Sequence, residues 1–446
     1  MKNRNYLLAI IANIALAVVC LFVSDIEGLR VVSIIQLVLN TYYYLKGNKK
    51  FVSVGLVFFW LLFLFHSSRF AFLEGYGFSR INNNNKVLIL LSYKLVTCCF
   101  STLCAGYFIT RSKKNNLDVS DSSVDLSDKD LLLLRRVSTY IFIFSLIPFL
   151  YVDITRLQYT MAFGYGGLYS LGERDVLFKY FSPISHLFRP AVILLMVSYC
   201  RTPKVATRIL VWFCVYSLVT MLSGARITAL VYILSIVVIY VRFVLARIKK
   251  SQFVMIIVVS ILLFSFLPVL SSMRREGVIS RADYEEAADV VEEAGGGFKS
   301  AIMEFGGTQI SVIYSMMFTS DFNYGRTYLA SLWCISPKLP SYLDKTNLTY
   351  TNSFPIDYQQ SLGGSCIGEA YYNFGWLAIL FFFIVGLLVG RLDHILCCVN
   401  RSNLITSIFC LVLIPGLFTW VRDFFMIFVF TGFWIPLIFR LVIGKR

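Results

Sequence analysis

Residues 223–250 read SGARITALVYILSIVVIYVRFVLARIKK. After the opening Ser223-Gly224-Ala225-Arg226, the run 227–246 is 20 residues long and carries one charge, Arg242; Arg247, Lys249 and Lys250 follow it. A helix of about 20 apolar residues covers the roughly 30 Å hydrocarbon layer of a bilayer. Basic residues directly after such a run mark its cytoplasmic end. This one segment therefore supplies a span, its direction and its inner boundary.

The same pattern recurs along the chain. Spans are expected at 6–23, 29–45, 51–66, 87–110, 137–152, 187–200, 205–222, 227–246, 252–270, 371–390, 404–420 and 424–440. Basic clusters at Lys46/Lys49/Lys50, Arg111/Lys113/Lys114, Arg201/Lys204, Arg247/Lys249/Lys250 and Arg440/Lys445/Arg446 each follow an even-numbered span. With Lys2 and Arg4 they place these loops and both termini in the cytoplasm. The expected fold is an all-α polytopic integral membrane protein, one membrane-embedded domain over residues 1–446, with about 12 transmembrane helices.

Composition agrees. The 446 residues are 58% hydrophobic and 15% charged, with a mean hydropathy of +0.72; a soluble chain is nearer a quarter charged. The net charge of +16 is gathered between apolar runs, which excludes a nucleic-acid partner as its explanation and points to membrane lipids instead. The first run follows Lys2 and Arg4 as in a signal peptide, but it lacks a small-residue cleavage pattern, and Val19 before Cys20 departs from a lipoprotein site. It is read as a retained first helix. Most of the 11 cysteines lie in apolar runs as small fillers; Cys334 and Cys366 fall outside, either bonded or as two thiols.

Three outer loops exceed what a connector needs. Segment 67–86 is Asn-rich around Asn82 to Asn85, and 153–186, a second periplasmic loop, is rich in Gly and Tyr. Segment 271–370, between the ninth and tenth spans, is the large periplasmic loop. In it, Ala282 to Glu293 is an acidic helix closed by Gly295, Gly296 and Gly297. Phe298 to Phe318 is expected to pack on the membrane surface, and Tyr324 to Asp344 to be partly re-entrant. Loops of this length carry function. On the cytoplasmic side, Asp128-Lys129-Asp130 imitates a metal-binding D-x-D triplet, but Ser127 and Asp130 form a capping box that accounts for it.

Arginine is disfavoured in short outer loops, so the exceptions are informative. Arg189, Arg226 and Arg422 sit at or just before outer helix N-termini, where unpaired N–H groups and the helix dipole favour an anion. They suit a pyrophosphate at headgroup depth; snorkelling to lipid phosphate is the competing explanation. Arg274, beside Arg275, and Arg326 add cations from the long loop. The segment 363–376, GGSCIGEAYYNFGW, delivers Glu369 to the outer mouth of the tenth span, as a base toward a sugar hydroxyl or as a complement to the helix dipole. Outside the spans Tyr324, Tyr328 and Trp333, with Tyr371 at the tenth span's mouth, offer aromatic faces to sugar rings. His66, His186 and His394 are dispersed, so no metal and no cofactor are expected.

The 363–376 segment, the Ser223-Gly224-Ala225-Arg226 turn and the late large loop resemble O-antigen polymerases of the Wzy type. The resemblance implies a metal-independent glycosyltransferase of the bacterial inner membrane with its active site facing the periplasm. Such enzymes move a growing glycan from undecaprenyl pyrophosphate to the non-reducing end of a lipid-linked repeat unit, alongside a flippase and a chain-length regulator. It implies that outer-loop arginines are important, which falls on Arg226 by motif, with a catalytic role, and on Arg326 and Arg422 by location, as pyrophosphate contacts. The alternatives are an O-antigen ligase, whose long outer loop carries a histidine that 271–370 lacks, and a lipid-linked glycan flippase or other transporter. Transporters are built from repeats that this chain does not display.

Overall fold

In the computed structural model of the protein, the described residues are 2–47, 53–73, 86–113, 124–163, 175–221, 226–244, 297–334, 343, 348–359, 363–397, 399–400 and 404–444. They are almost entirely helical. In chain order the first helices are α1 Lys2–Phe22, α2 Ile26–Gly47, α3 Val54–His66, α4 Ser68–Phe72 and α5 Lys86–Lys113. Next come α6 Asp128–Phe163, α7 Val176–Ser185, α8 Phe188–Ser198, α9 Pro203–Met221 and α10 Arg226–Phe243. Then follow α11 Gly297–Phe305, α12 Gln309–Phe318, α13 Arg326–Ser331, α14 Ile356–Gln359 and α15 Cys366–Phe374. The last are α16 Ala378–Ile395, α17 Leu404–Trp420, α18 Phe425–Val429 and α19 Ile435–Gly444. A two-residue parallel pairing, β1 Val124–Asp125 with β2 Val399–Asn400, is the sole strand contact among the described residues.

Each expected span except 252–270, which lies outside the described residues, is helical over most of its described part, with 371–390 shared by α15 and α16 and 424–440 by α18 and α19. Six helical segments are long and apolar enough to cross a bilayer: Arg4–Phe22, Lys86–Ser112, Asp128–Phe163, Val176–Ser198, Pro203–Met221 and Cys366–Ile395. Shorter apolar helices accompany them. The chain is thus a polytopic helical membrane protein.

The chain divides into two compact units. The first comprises Met1–Ser122, Phe305–Cys398 and Gly416–Trp434. Its centre is α5, which packs against α1 and α16. The α5–α16 seam is built on small residues: a Cβ on Gly106 would meet the Phe383 carbonyl, and one on Gly386 would meet the Leu103 carbonyl. Thr102 Oγ1 donates to Ile379 O at 2.8 Å across the same seam. Close backbone approach through glycine, with hydroxyls bridging to carbonyls, replaces the hydrophobic drive that lipid cannot supply. Asn13 and Asn40 exchange amide bonds at 2.8 and 3.1 Å, and Gln36 donates to Thr97 O and Ser101 Oγ. At the other end of α16, Asp393 accepts from Tyr107 Oη at 2.7 Å and from the N–H groups of Val54 and Gly55, which open α3.

The second unit comprises Ser123–Glu304, Val399–Pro415 and Ile435–Arg446. The capping box opening α6 is present: Ser127 N and Oγ both donate to Asp130 Oδ2, and Asp130 N donates to Ser127 Oγ. Asp128 pairs with Arg201. Both acids of the D-x-D triplet are therefore engaged as structural groups.

Two segments expected between spans contain helix. The segment 153–186 is not a loop at its start or end, because α6 runs on to Phe163 and α7 begins at Val176. Asp153 and Arg156 end the apolar run in sequence, yet Tyr216 Oη donates to Asp153 Oδ2 at 2.8 Å and Arg156 lies over the Phe178 ring. Helix–helix partners neutralise the cost of these polar groups. In the segment 298–318, α12 packs inside the first unit. Residues Val312 and Ile313 of α12 are fully buried against α5 and α15. Its polar residues point inward too, Gln309 to Ser92 Oγ and Ser311 to Gly363 O. The acidic stretch Ala282 to Glu293 and the run Asn82 to Asn85 lie outside the described residues.

Candidate active site

The glycines that begin the 363–376 segment have a specific use. A Cβ on Gly364 would stand 2.6 Å from the Asp423 carbonyl carbon and 2.7 Å from Phe424 N. One on Gly363 would face Arg422 O at 3.5 Å and Arg422 Nε at 3.7 Å. Residues 363–366 therefore run directly along the turn 421–424 that joins α17 to α18, and Cys366 N approaches Val421 O at 3.5 Å. Only a chain without side chains at this point permits such contact.

Ser365 is the N-cap of α15, its Oγ accepting from Gly368 N at 3.0 Å. The same Oγ meets His66 Nε2 at 2.8 Å, while His66 Nδ1 meets Leu62 O at 3.1 Å. The carbonyl fixes the tautomer: Nδ1 donates to Leu62 and Nε2 accepts from Ser365. His66, dispersed in sequence, is thus a structural brace for the helix that carries Glu369. Sequence offered no signal for this pairing across almost three hundred residues.

Glu369 is completely buried. Its Oε2 accepts from Phe425 N at 2.8 Å, the first N–H of α18. The Thr327 side chain, whose Oγ1 accepts from Asn373, faces the same carboxyl. Beside it, Asn373 Nδ2 donates to Thr327 Oγ1 at 2.7 Å and to Glu369 O. The carboxyl thus lies in the first turn of its own helix and also meets the first N–H of α18.

Arg422 and Asp423 occupy the turn itself and are partly exposed. The Arg422 guanidinium lies 5.7 Å from the Phe65 ring centre, one residue from His66. Asp423 Oδ1 accepts from Phe424 N at 2.9 Å. Burial pushes the Asp423 carboxyl up to about 6, against the opposing pull of the Phe424 N–H and Arg422. Its charge is near enough to act on Glu369. Arg69 is a further cation that sequence left in a loop. It is buried in α4, its Cβ pressed on Gly306.

The other expected residues are placed as follows. Arg326 is exposed at the start of α13, after Tyr324 and Gly325, both with positive φ. Tyr324 is 79% exposed and anchored by its backbone N–H to Asn373 O at 2.9 Å; Trp333 is also exposed. Tyr371 is partly buried, edge-on to Phe322. The Tyr328 ring is stacked on Phe374 and Phe381 with Phe425 edge-on, so its faces are already covered. Arg189 belongs to the second unit, buried there with its guanidinium 4.8 Å from the Tyr232 ring centre and 5.5 Å from that of Phe149. Arg226 begins α10, also in the second unit; its side chain, with Arg274 and Arg275, lies outside the described residues. Arg326 and Arg422 belong to the first unit, Arg189 and Arg226 to the second. Cys334 and Cys366 are free thiols.

The family model for the O-antigen polysaccharide polymerase Wzy matches residues 5–443, nearly the whole chain. Neither a curated protein nor a solved structure matches.

Proposed function

The chain belongs to the Wzy family of O-antigen polysaccharide polymerases, and from that premise we propose that it transfers a growing glycan from undecaprenyl pyrophosphate to the non-reducing end of a lipid-linked repeat unit. The coarser role, polysaccharide polymerisation in O-antigen biosynthesis by a multi-pass membrane protein, follows from family and hydropathy together. The finer reading adds a bacterial inner-membrane location, a site facing the periplasm, and a flippase and chain-length regulator as companions.

One observation supports the reading of the site: Arg422 is held on a turn clamped by Gly363, Gly364 and the Glu369–Phe425 bond. A preorganised guanidinium next to a low-dielectric interior stabilises a departing diphosphate far better than one in water. Arg326, exposed near Tyr324 on the same unit, is a second contact for anionic substrate. A pyrophosphate needs its charge held in order to leave, and arginine provides this without a metal. Two lipid-anchored substrates confined to one membrane also lose less freedom on meeting.

The test is polymerisation of a purified lipid-linked repeat unit by the protein in liposomes, read as a ladder on a gel with and without chelator. The expected result is a ladder insensitive to chelator, which Arg422→Ala reduces about a hundredfold and Arg422→Lys restores in part. A wild-type ladder from Arg422→Ala removes this arginine from the site. In cells, loss of the protein should leave lipopolysaccharide bearing a single repeat unit; loss of all repeat units would favour a flippase or ligase instead.

A further inference from the structure

The site contains two neighbouring carboxylates of unlike standing. Glu369 is enclosed on all sides, one oxygen committed to Phe425 N. Asp423 is partly exposed, one oxygen fixed by Phe424 N and the other without a hydrogen bond among the described residues. A general base must come within about 3 Å of the proton it removes. Of the two residues only Asp423 retains solvent exposure, and on that ground it is the one a sugar hydroxyl can approach. Asp423 also follows Arg422 directly, so the cation for the leaving group and the acceptor for the proton share one turn.

We propose that Asp423 is the catalytic base of the transfer and that Glu369 is a positioning residue that fixes the Asp423 turn through Phe425 N. The assignment rests on the polymerase reading above. In the step, the acceptor hydroxyl oxygen forms a bond to the anomeric carbon of the donor glycan. The bond from that carbon to the pyrophosphate oxygen breaks, and its electron pair leaves with the pyrophosphate beside Arg422. The hydroxyl proton passes to the open oxygen of Asp423 and from there to water. Nothing is oxidised or reduced, and no further reactant is needed.

The geometry gives each residue a distinct role. Asp423 Oδ1, held at 2.9 Å by Phe424 N, fixes the carboxylate plane and leaves Oδ2 for substrate. Glu369, from inside, pins the next N–H along. Gly364 lets the 363–366 segment lie against the Asp423 carbonyl. A base so braced loses little freedom when substrate arrives.

The experiment uses the full-length protein in liposomes with the lipid-linked repeat unit, measuring kcat and KM separately, and compares Asp423→Asn, Asp423→Glu and Glu369→Gln. Asparagine keeps an oxygen for Phe424 N, so the melting temperature of Asp423→Asn should equal that of the wild type while kcat falls about a hundredfold or more at unchanged KM. Asp423→Glu should recover part of that loss. Glu369→Gln, which keeps an acceptor for Phe425 N, should lose less than Asp423→Asn. The assignment is overturned if Asp423→Asn polymerises at the wild-type rate, or if Glu369→Gln is the more damaging change. A wild-type protein that makes no polymer from this substrate would sink the polymerase reading itself, and the base with it; the two failures are told apart by the wild-type lane.

Discussion

Glu369 and Phe425 are joined by a 2.8 Å hydrogen bond from the Phe425 N–H to the buried carboxylate. The bond ties the first turn of α15 to the first turn of α18 across 56 residues of sequence. It also fixes the short turn that carries Arg422 and Asp423. Removing a buried acceptor leaves an N–H with nothing to bind, which costs about 1–3 kcal/mol. Glu369→Ala should therefore lower thermal stability in detergent by an amount of that order, and Glu369→Gln should lose much less. Equal melting temperatures for both variants would show that the bond carries no stability.

The brace behind this helix makes a second prediction. Ser365 caps α15 and engages His66 through one oxygen. Ser365→Ala removes the cap, at a cost of about 1 kcal/mol, and strands His66 Nε2 as well. His66→Ala alone should cost less than Ser365→Ala, and the double variant should fall short of the sum because the two share one bond. Strict additivity in unfolding measurements would argue that the pair is not coupled.

Asp423 has a pH signature. Its carboxyl is raised to about 6 by burial, so the proton-accepting form is lost as pH falls through that value. The charged groups facing it are Arg422 on its own turn and Glu369 from α15. Polymerisation should decline about tenfold per pH unit below about 6 and level off above it. The limb should persist in Glu369→Gln. A flat profile from pH 5 to 8, or a limb that vanishes in Glu369→Gln, would contradict this.

The seam between α5 and α16 tolerates no added bulk. A Cβ on Gly386 collides with the Leu103 carbonyl, a backbone atom that cannot rotate away. Gly386→Leu should abolish recovery of monodisperse protein on size exclusion, whereas Leu380→Phe or Leu388→Phe, at exposed positions of the same helix, should be tolerated. Wild-type recovery of Gly386→Leu would mean the helices do not approach as described.

Arg189 is a separate case. Its guanidinium is buried between Tyr232 and Phe149, and stacked, desolvated cation–π contacts contribute up to about 2 kcal/mol. Arg189→Ala should lower thermal stability, while Arg189→Lys, lacking the planar face, should recover only part of it. Loss of polymer at unchanged stability would instead restore this arginine to the pyrophosphate.

Much of the helical plan is legible in sequence because apolar length and charge are local properties. The runs at 87–110 and 371–390 announce themselves, and the capping box at Ser127 and Asp130 is contained within four residues. Reading failed where polar residues interrupt a helix. Asp153 ended a span on hydropathy alone, because its partner Tyr216 is 63 residues away. The apolar character of 298–318 suggests packing on the membrane surface, but it does not reveal that Gln309 and Ser311 bond to Ser92 and Gly363, which are distant in sequence. Of the site, Glu369 and Arg422 were visible as charges at helix mouths, while Asp423, His66 and Ser365 were not.

Sequence by itself determined that this chain is a multi-helix membrane protein and, through its family, a polysaccharide polymerase, since both are carried by patterns that need no folding to be read. Only the tertiary structure decided that Glu369 is completely enclosed while Asp423, on the neighbouring turn, keeps part of its surface. Glu369 and Asp423 are both acids beside helix N-termini; burial and hydrogen-bond direction separate them, and those depend on distant backbone brought close by Gly363 and Gly364.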